Sequence, residues 1–302
     1  MRKQSKVAVL GGDMRQMVVA QNLCRADMLV HVSGLCAALE NDDRIKNCDC
    51  WEDAIIGASA VVLPLPVSMD ENTLNCPARL GKDRITLDRI IDLADRKTLV
   101  LGGRIPKRMQ DMAQRKGIAV YDYFHSEPLQ IKNAYLTAEA AVSIAMNSLN
   151  KRLGEARFAI TGSGRISHFL VHILRRLGAN VTVAARKVES LTYFAVDGCD
   201  TLLIRNDDRD SERRWYATLQ HGYDIIFNTV PAWLFDRDFL EGVDKEVLII
   251  ELASSPGGVD VCAARELSSN VMWAPSLPGK YAPESAGKII SECVLEVLGG
   301  NL

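Results

Sequence analysis

The chain has 302 residues, 48% of them apolar and 25% charged, with a formal net charge of −2. That length holds two domains, each large enough to bury a core. The near-neutral balance leaves no electrostatic footprint for nucleic acid or an anionic membrane. No apolar run approaches the roughly 18–20 residues that cross a bilayer, and Met1-Arg2-Lys3-Gln4-Ser5-Lys6 has no signal-peptide core, so the chain reads as cytoplasmic.

The first half alternates strand and helix patterns. A strand at Lys6–Leu10 leads into Gly11-Gly12-Asp13, a helix follows over Met14–Arg25, and Met28–Val32 is a second strand. Ala58–Pro66 reads as one buried strand ended by prolines. Leu87–Ala94 then reads as a helix, Leu99–Gly102 as a strand, Ile105–Lys116 as a helix stopped by Gly117, and Ile118–Tyr121 as a strand. Short apolar strands separated by helices indicate a parallel, doubly wound sheet.

Residues 133–153 carry one long helical pattern without Pro or Gly, with Leu136, Ala140, Ile144, Leu149 and Leu153 recurring. Further strands are expected at Phe158–Thr161, Asn180–Ala184, Asp200–Leu203, Asp224–Asn228, Val247–Leu252 and Val271–Ala274. Pro283 can open a last helix at its first turn. The expected fold class is therefore α/β, with two Rossmann-like, doubly wound domains joined by long helices and a cleft between them. The expected layout is an N-terminal substrate domain (1–132), a linking helix (133–153), a dinucleotide-binding domain (154–282) and a C-terminal helix (283–302) that packs back on the first domain.

The second unit opens on a cofactor signature. Ala159-Ile160-Thr161 is an apolar strand, Gly162-Ser163-Gly164 a turn, and Arg165-Ile166-Ser167 the start of a helix that Gly178 ends. Glycines there let backbone amides approach a pyrophosphate, and the helix N-terminus adds partial positive charge. Ser167 stands where the third glycine of such a motif usually falls, and it is small enough for close helix–strand packing. The next strand ends in Arg186-Lys187, where NAD enzymes usually carry an acidic residue for the ribose 2′-hydroxyl. A basic strand end binds a 2′-phosphate, so the expected cofactor is NADP. Arg165 is also placed to reach a phosphate.

The eight cysteines include one CxC and no CxxC, which is not zinc spacing. They are expected as reduced thiols, mostly buried, with no metal site. His168 and His172 share one helix face but have no third ligand near them in the sequence, so they read as helix-surface or cofactor-adjacent residues.

Ligands of open α/β sheets bind beyond the carboxyl ends of the strands. Four loops there are rich in polar and glycine residues: Gly11–Gln16, Asn228–Pro231, Glu251–Gly258 and Ala274–Pro283. Plain turn chemistry explains any one of them; their shared position favours a site. Their motifs are GGDxRQ at Gly11–Gln16, NTxP at Asn228–Pro231, LASxPGGxD at Leu252–Asp260 and LPGxxAPxxAG at Leu277–Gly287. With GxGR at Gly162–Arg165 and the T-x-E of Thr137-Ala138-Glu139, they closely resemble the A-subunit family of bacterial dipicolinate synthases. The sequence departs from that pattern at Ser167, at Lys280 and at Ser254-Ser255.

The resemblance implies a cytoplasmic oxidoreductase of endospore-forming bacteria, active in the mother cell during sporulation. With the flavoprotein-like B-subunit of dipicolinate synthase, it would oxidise dihydrodipicolinate to dipicolinate using NADP. That reaction removes one hydride and one proton, so the protein must mainly position two carboxylates and exclude water. Substrate-binding candidates are Gly12, Asp13, Arg15, Gln16, Ser68, Arg104 and Thr137, since carboxylates seek arginines, hydroxyls and amides at helix N-termini. Candidates for proton removal are Asp13, His125 and Glu139, and the residues do not choose among them. Cofactor-binding candidates are Gly162, Ser163, Gly164, Arg165, Ile166, Ser167, Arg186, Lys187, Asn228, Thr229, Val230, Pro231, Ala253, Ser254, Pro278 and Gly279. A non-catalytic, nucleotide-binding partner of the B-subunit and an NADP dehydrogenase of another small carboxylate are the alternatives. A homodimer is also compatible with the sequence.

Overall fold

The structure, a computed structural model, describes residues 5–39, 42–79, 84–205 and 209–300. Two compact units divide the chain: residues 1–133 with 278–302, and residues 134–277.

The first unit contains β1 (Lys6–Leu10), α1 (Met14–Arg25), β2 (Leu29–Ser33), β3 (Ile45–Asn47), α2 (Trp51–Ile55) and β4 (Ala60–Val62). It continues through α3 (Leu87–Leu93), β5 (Leu99–Gly102), α4 (Lys107–Lys116) and β6 (Ala119–Asp122) into the start of α5 (Glu127–Ser148). Its six strands are all parallel, in the order β3-β2-β1-β4-β5-β6. Alternation along β1 sends Val7 and Val9 to one core and Ala8 and Leu10 to the other, so both faces of the sheet are covered.

The second unit runs from within α5 through β7 (Arg157–Thr161), α6 (Arg165–Arg176), β8 (Asn180–Ala185), α7 (Val188–Val196), β9 (Asp200–Leu203) and α8 (Arg209–Leu219). It is completed by β10 (Ile225–Asn228), α9 (Arg237–Gly242), β11 (Leu248–Glu251), α10 (Val261–Glu266) and β12 (Val271–Trp273). The sheet is again all parallel, in the order β9-β8-β7-β10-β11-β12. Phe158 and Ile160 face one core, Ala159 the other, where Trp215, Tyr216, Phe235 and Phe239 stack edge to face and tilted. The chain then returns to the first unit with α11 (Leu277–Tyr281) and α12 (Pro283–Gly300). Helix α12 lies along α1: a Cβ on Gly287 would sit 2.6 Å from Val18 Cβ, and Asn22 Nδ2 donates to Ser291 Oγ at 3.0 Å.

Both sheets thus reverse strand order between their first and fourth strands, at β1/β4 and at β7/β10. Loops that leave the carboxyl ends there diverge and open a crevice, the usual ligand position in such sheets.

Several expectations are corrected. The Ala58–Pro66 strand shrinks to Ala60–Val62: Leu63 still donates to Leu101 O at 2.7 Å, but Pro64 and Pro66 have no N–H to continue a regular ladder. Strand β3 and helix α2 are additional elements that the apolar pattern did not disclose; β3 is a three-residue edge strand containing Lys46 and Asn47. The long helix expected over 133–153 begins at Glu127 and stops at Ser148. Helix α4 begins at Lys107 because Pro106 acts as its cap. Nor are the thiols mostly buried: Cys24, Cys199 and Cys293 are, Cys48 and Cys76 are half-buried, and Cys36, Cys50 and Cys262 are exposed. All eight are free.

Candidate functional site

In the second unit the turn after β7 is built for close approach. Gly162 takes φ +103°, donates to Ala184 O at 2.8 Å, and would place a Cβ 2.4 Å from Thr229 Oγ1. Gly164, the cap of α6, has nothing within 4 Å of its Cβ position, so the backbone there is open to a ligand. Ser167 is buried beneath the turn with its hydroxyl 3.0 Å from that of Thr229, which itself donates to Thr161 O at 2.8 Å. Arg165 and Ile166 open α6 beside them, Arg165 exposed and Ile166 half-buried.

A cavity of about 430 Å³ opens beside this turn, at the ends of β7 and β8. Gly162 and Ser163 line one side, Arg186 and Lys187 the strand end, and Val230 and Trp233 another. Arg186 and Lys187 are exposed, and Trp233 presents 62% of its surface. Apolar walls, an open glycine turn and two cations at the strand end fit an adenine nucleotide carrying an extra phosphate.

The loops after β10 and β11 are tied together by a buried carboxylate. Glu251 Oε2 accepts from Asn228 Nδ2 at 2.8 Å and from the Gly258 amide at 2.9 Å, while Oε1 accepts from the Ala253 amide at 2.8 Å. Asn228 Oδ1 accepts in turn from the Thr161 hydroxyl and the Val230 amide. Burial pushes the Glu251 carboxyl above its ordinary range, and its hydrogen bonds oppose that shift. Asn228, Thr229, Val230 and Ala253 are held in place by this network; Pro231 and Ser254 are exposed beyond it.

In the first unit, Asp13 caps α1 by accepting from the Arg15 amide at 3.0 Å. Its two oxygens also face Arg15 Nε at 2.9 Å and Nη2 at 2.8 Å. Nη2 donates further to Leu65 O at 2.6 Å, and Arg15 is only 7% exposed. Helix α11 lies directly on this pair: a Cβ on Gly279 would come within 2.9 Å of Arg15 Nε and 3.1 Å of Asp13 Oδ2. Pro278 and Gly279, expected among the cofactor-binding residues, fall in the first unit, and Gly279 lies against the Asp13–Arg15 pair. The Gly12 amide, expected to face a carboxylate, donates instead to Asn75 O at 2.8 Å. Gln16 is buried, its amide nitrogen 3.3 Å from Val62 O and its carbonyl oxygen without a hydrogen-bond partner among the described residues.

The remaining candidates have local surroundings of their own. The Ser68 hydroxyl donates to Asp70 Oδ1 at 3.1 Å, inside a turn whose Thr73 and Asn72 donors hold the Asp70 carboxyl well below the usual range. Arg104 takes φ +53°, donates its amide to Asp122 Oδ1 at 3.0 Å, and lays its guanidinium 4.8 Å from the Phe124 ring centre. His125 is exposed and lines a cavity of about 480 Å³ with Tyr121 and Asp122. Thr137 is buried and Glu139 exposed, both on the part of α5 that belongs to the second unit. Of the histidine pair, His168 stacks on Phe194 at 4.5 Å and His172 is exposed.

Three residues of this architecture were not among the site candidates. Glu251 stood only as the first residue of a polar loop, and its place as a carboxylate in an otherwise apolar strand was the signal for its role. Trp233 follows the NTxP loop closely, but an exposed aromatic in a loop has no periodic signal. Tyr123 is fully buried, donating to Leu63 O at 2.9 Å, and burial raises its hydroxyl far above the ordinary range. It braces the Leu63–Pro66 turn from below.

Among the described residues no helix is long and apolar enough to cross a membrane. Residues 6–124 match the family model for the N-terminal domain of the dipicolinate synthase A-subunit. The chain is 24% identical over 294 residues to the dipicolinate synthase A-subunit of Bacillus subtilis, covering 97% of this chain and 95% of that one. Its fold matches the crystal structure of the dipicolinate synthase A-subunit from Bacillus halodurans with a TM-score of 0.84 at 22% identity, over 97% of each chain. An L-alanine dehydrogenase shares the fold more distantly, with a TM-score of 0.60 at 14% identity over 96% of this chain and 88% of that one. The architecture is therefore dehydrogenase-like. The resemblance read from the motifs is matched by these comparisons: residues 6–124 are similar to the N-terminal domain of dipicolinate synthase A-subunits, and the similarity to the Bacillus subtilis A-subunit runs through 97% of the chain.

Proposed function

We propose that this chain is an NADP-linked dehydrogenase that oxidises dihydrodipicolinate to dipicolinate during sporulation, in the mother-cell cytoplasm and together with a second subunit. The observation that carries the reading is the cavity in which Gly162 and Ser163 face Arg186 and Lys187. Backbone amides at the α6 N-terminus suit a pyrophosphate, and the two cations suit a ribose 2′-phosphate. When bound, NADP supplies the hydride acceptor.

The chain's own residues position and shield. Arg186 and Lys187 hold the adenosine phosphate, and Trp233 offers a face for the adenine ring. The Asn228–Glu251 network keeps the loops after β10 and β11 in one arrangement, so their backbone is preorganised for the cofactor. In the first unit Asp13 has both oxygens engaged by Arg15, so we assign it to fixing that guanidinium and not to removing a proton. Arg15 is backed by the Leu65 carbonyl, and exposed Arg104 adds a second cation for a dicarboxylate. Proton removal as the ring aromatises is left to His125 or Glu139, both exposed side chains.

A steady-state assay of the purified chain with dihydrodipicolinate and NADP+, with and without the second subunit, tests the reading. Turnover by the isolated chain, or by the pair with loss on Arg186→Asp, is the expected result. Tight NADP+ binding with no turnover in either mixture would leave the chain as a nucleotide-binding partner. The pH–rate profiles of His125→Gln and Glu139→Gln then identify the base: only the variant of the true base loses the corresponding limb.

A further inference from the structure

We propose that Met14, Met17 and Cys36 form a binding site for a soft monovalent metal cation of the Cu(I) class. Met14 and Met17 are one turn apart on α1 and so share a face. Cys36 lies in the loop that follows β2, and its Sγ is 3.3 Å from Met14 Sδ and 3.2 Å from Met17 Sδ. Three sulfurs from two elements therefore converge on one point at the carboxyl edge of the first sheet.

Apolar packing accounts for Met17, which packs against the core of the first unit, but not for Met14 and Cys36. Cys36 is exposed and Met14 is 50% exposed, whereas methionine sulfur in a core is covered. Among the described residues no group of three His, Cys, Asp or Glu is suited to a metal, so the donors on offer here are one thiol and two thioethers. Thiolate and thioether ligands select Cu(I). One thiolate balances one positive charge, and the two thioethers complete a three-coordinate site without adding charge. Methionine has three rotatable bonds, so the thioethers can splay to admit the ion with no backbone movement. Binding is redox-neutral: the Cys36 S–H bond breaks, its proton goes to solvent, and the sulfur's electron pair forms the bond to the metal.

The two sheets, with their shared strand order, supply a second argument. In the second unit the corner between the α6 N-terminus and the end of β8 carries Arg165, Arg186 and Lys187, side chains that attract an anion. In the first unit the matching corner, between the α1 N-terminus and the end of β2, carries Met14, Met17 and Cys36. Arg15, the cation between the two methionines in the sequence, is turned inward onto Asp13 and the Leu65 carbonyl. The same frame thus offers sulfur where its counterpart offers positive charge, and it suits a soft cation where its counterpart suits a phosphate.

The test is an anaerobic titration with Cu(I) delivered as its bathocuproine disulfonate complex, read by NMR of methyl-13C methionine. The protein carries Cys50→Ser and Cys262→Ser, which removes the other exposed thiols. The expected result is uptake of one equivalent, release of one proton and shifts of the Met14 and Met17 methyl signals. Adding Cys36→Ser should abolish those shifts, and its thermal melt should be unchanged because the side chain is exposed. Replacing both methionines by leucine should weaken binding at least about tenfold, the lower end of the loss seen when a mere outer-shell partner is removed. Unmoved methionine methyl signals, or undiminished affinity without the two methionines, would overturn the site and leave Cys36 a lone thiol.

Discussion

The Asn228 side-chain amide donates to Glu251 Oε2 at 2.8 Å, and the Gly258 amide reaches the same oxygen at 2.9 Å. One buried carboxylate thereby fastens the loop after β10 to the loop after β11. Glu251→Ala removes the acceptor that the Asn228, Gly258 and Ala253 donors share and should cost about 2–4 kcal/mol. Urea unfolding measures this directly, and an unchanged midpoint would show that the loops find other partners.

The same carboxyl gives stability a pH dependence. Burial raises its folded-state pKa above the ordinary 4.5, so just above that pH the native protein binds more protons than the unfolded chain. This group's contribution is therefore complete below about 4.5 and declines as pH rises through its raised value. Glu251→Gln cannot titrate and should lack that decline. The difference in unfolding free energy between wild type and Glu251→Gln, followed upward from about pH 4.5, reads the effect; a flat difference rules it out.

Gly162 and Gly164 separate folding from binding. Gly162→Ala must place a methyl 2.4 Å from Thr229 Oγ1 at φ +103° and should cost about 1–3 kcal/mol of stability along with nucleotide binding. Gly164→Ala meets nothing within 4 Å and should change stability by less than about 1 kcal/mol. Its methyl projects into the space a pyrophosphate needs, so NADP+ affinity should still fall. Calorimetric titration beside thermal melts distinguishes the two.

Arg186→Asp removes a charged donor from the strand end and adds repulsion towards a 2′-phosphate. NADP+ should bind more weakly by about 1.5–3 kcal/mol, while NAD+ loses little or nothing. Equal losses for both cofactors would place the 2′-phosphate elsewhere.

Arg15 uses a planar fork: Nε and Nη2 face Asp13, and Nη2 also reaches the Leu65 carbonyl. Lysine has a single ammonium and cannot reproduce that geometry. Arg15→Lys should therefore destabilise the first unit by about 1–3 kcal/mol. Gly279→Ala, which crowds the same guanidinium, should act in the same direction. Chemical denaturation of the two single variants and the double variant would show a non-additive loss if α11 rests on this pair.

The sequence was most informative where a short apolar run met a glycine turn. Lys6–Leu10, Met14–Arg25, Leu99–Gly102 and Asp200–Leu203 all have the bounds their periodicity indicates, and the Gly162 turn follows its strand as expected. Elements held by tertiary contacts were harder to read. Strand β3 has three residues with Lys46 and Asn47 among them, so its edge pairing to β2 and not its composition makes it a strand. Pro278 and Gly279 carry no local sign that the chain has by then returned to the first unit. Nor could spacing reveal that the Gly12 amide is taken by Asn75 O, or that three cysteines of the eight are exposed, since both depend on what another loop does.

The first unit is assembled from both ends of the chain, with 1–133 completed by 278–302, while the second unit is one continuous stretch. Ile290, Cys293, Val294 and Leu298 of α12 fill the core against which α1 and β1 pack. During synthesis the ribosome therefore delivers the whole second unit before the residues that close the first. The middle of the chain can reach its native state while the beginning still exposes an apolar groove along α1. A released chain ending near residue 280 would hold a complete second unit beside an unfinished first one, which makes the last helix the step that commits the molecule.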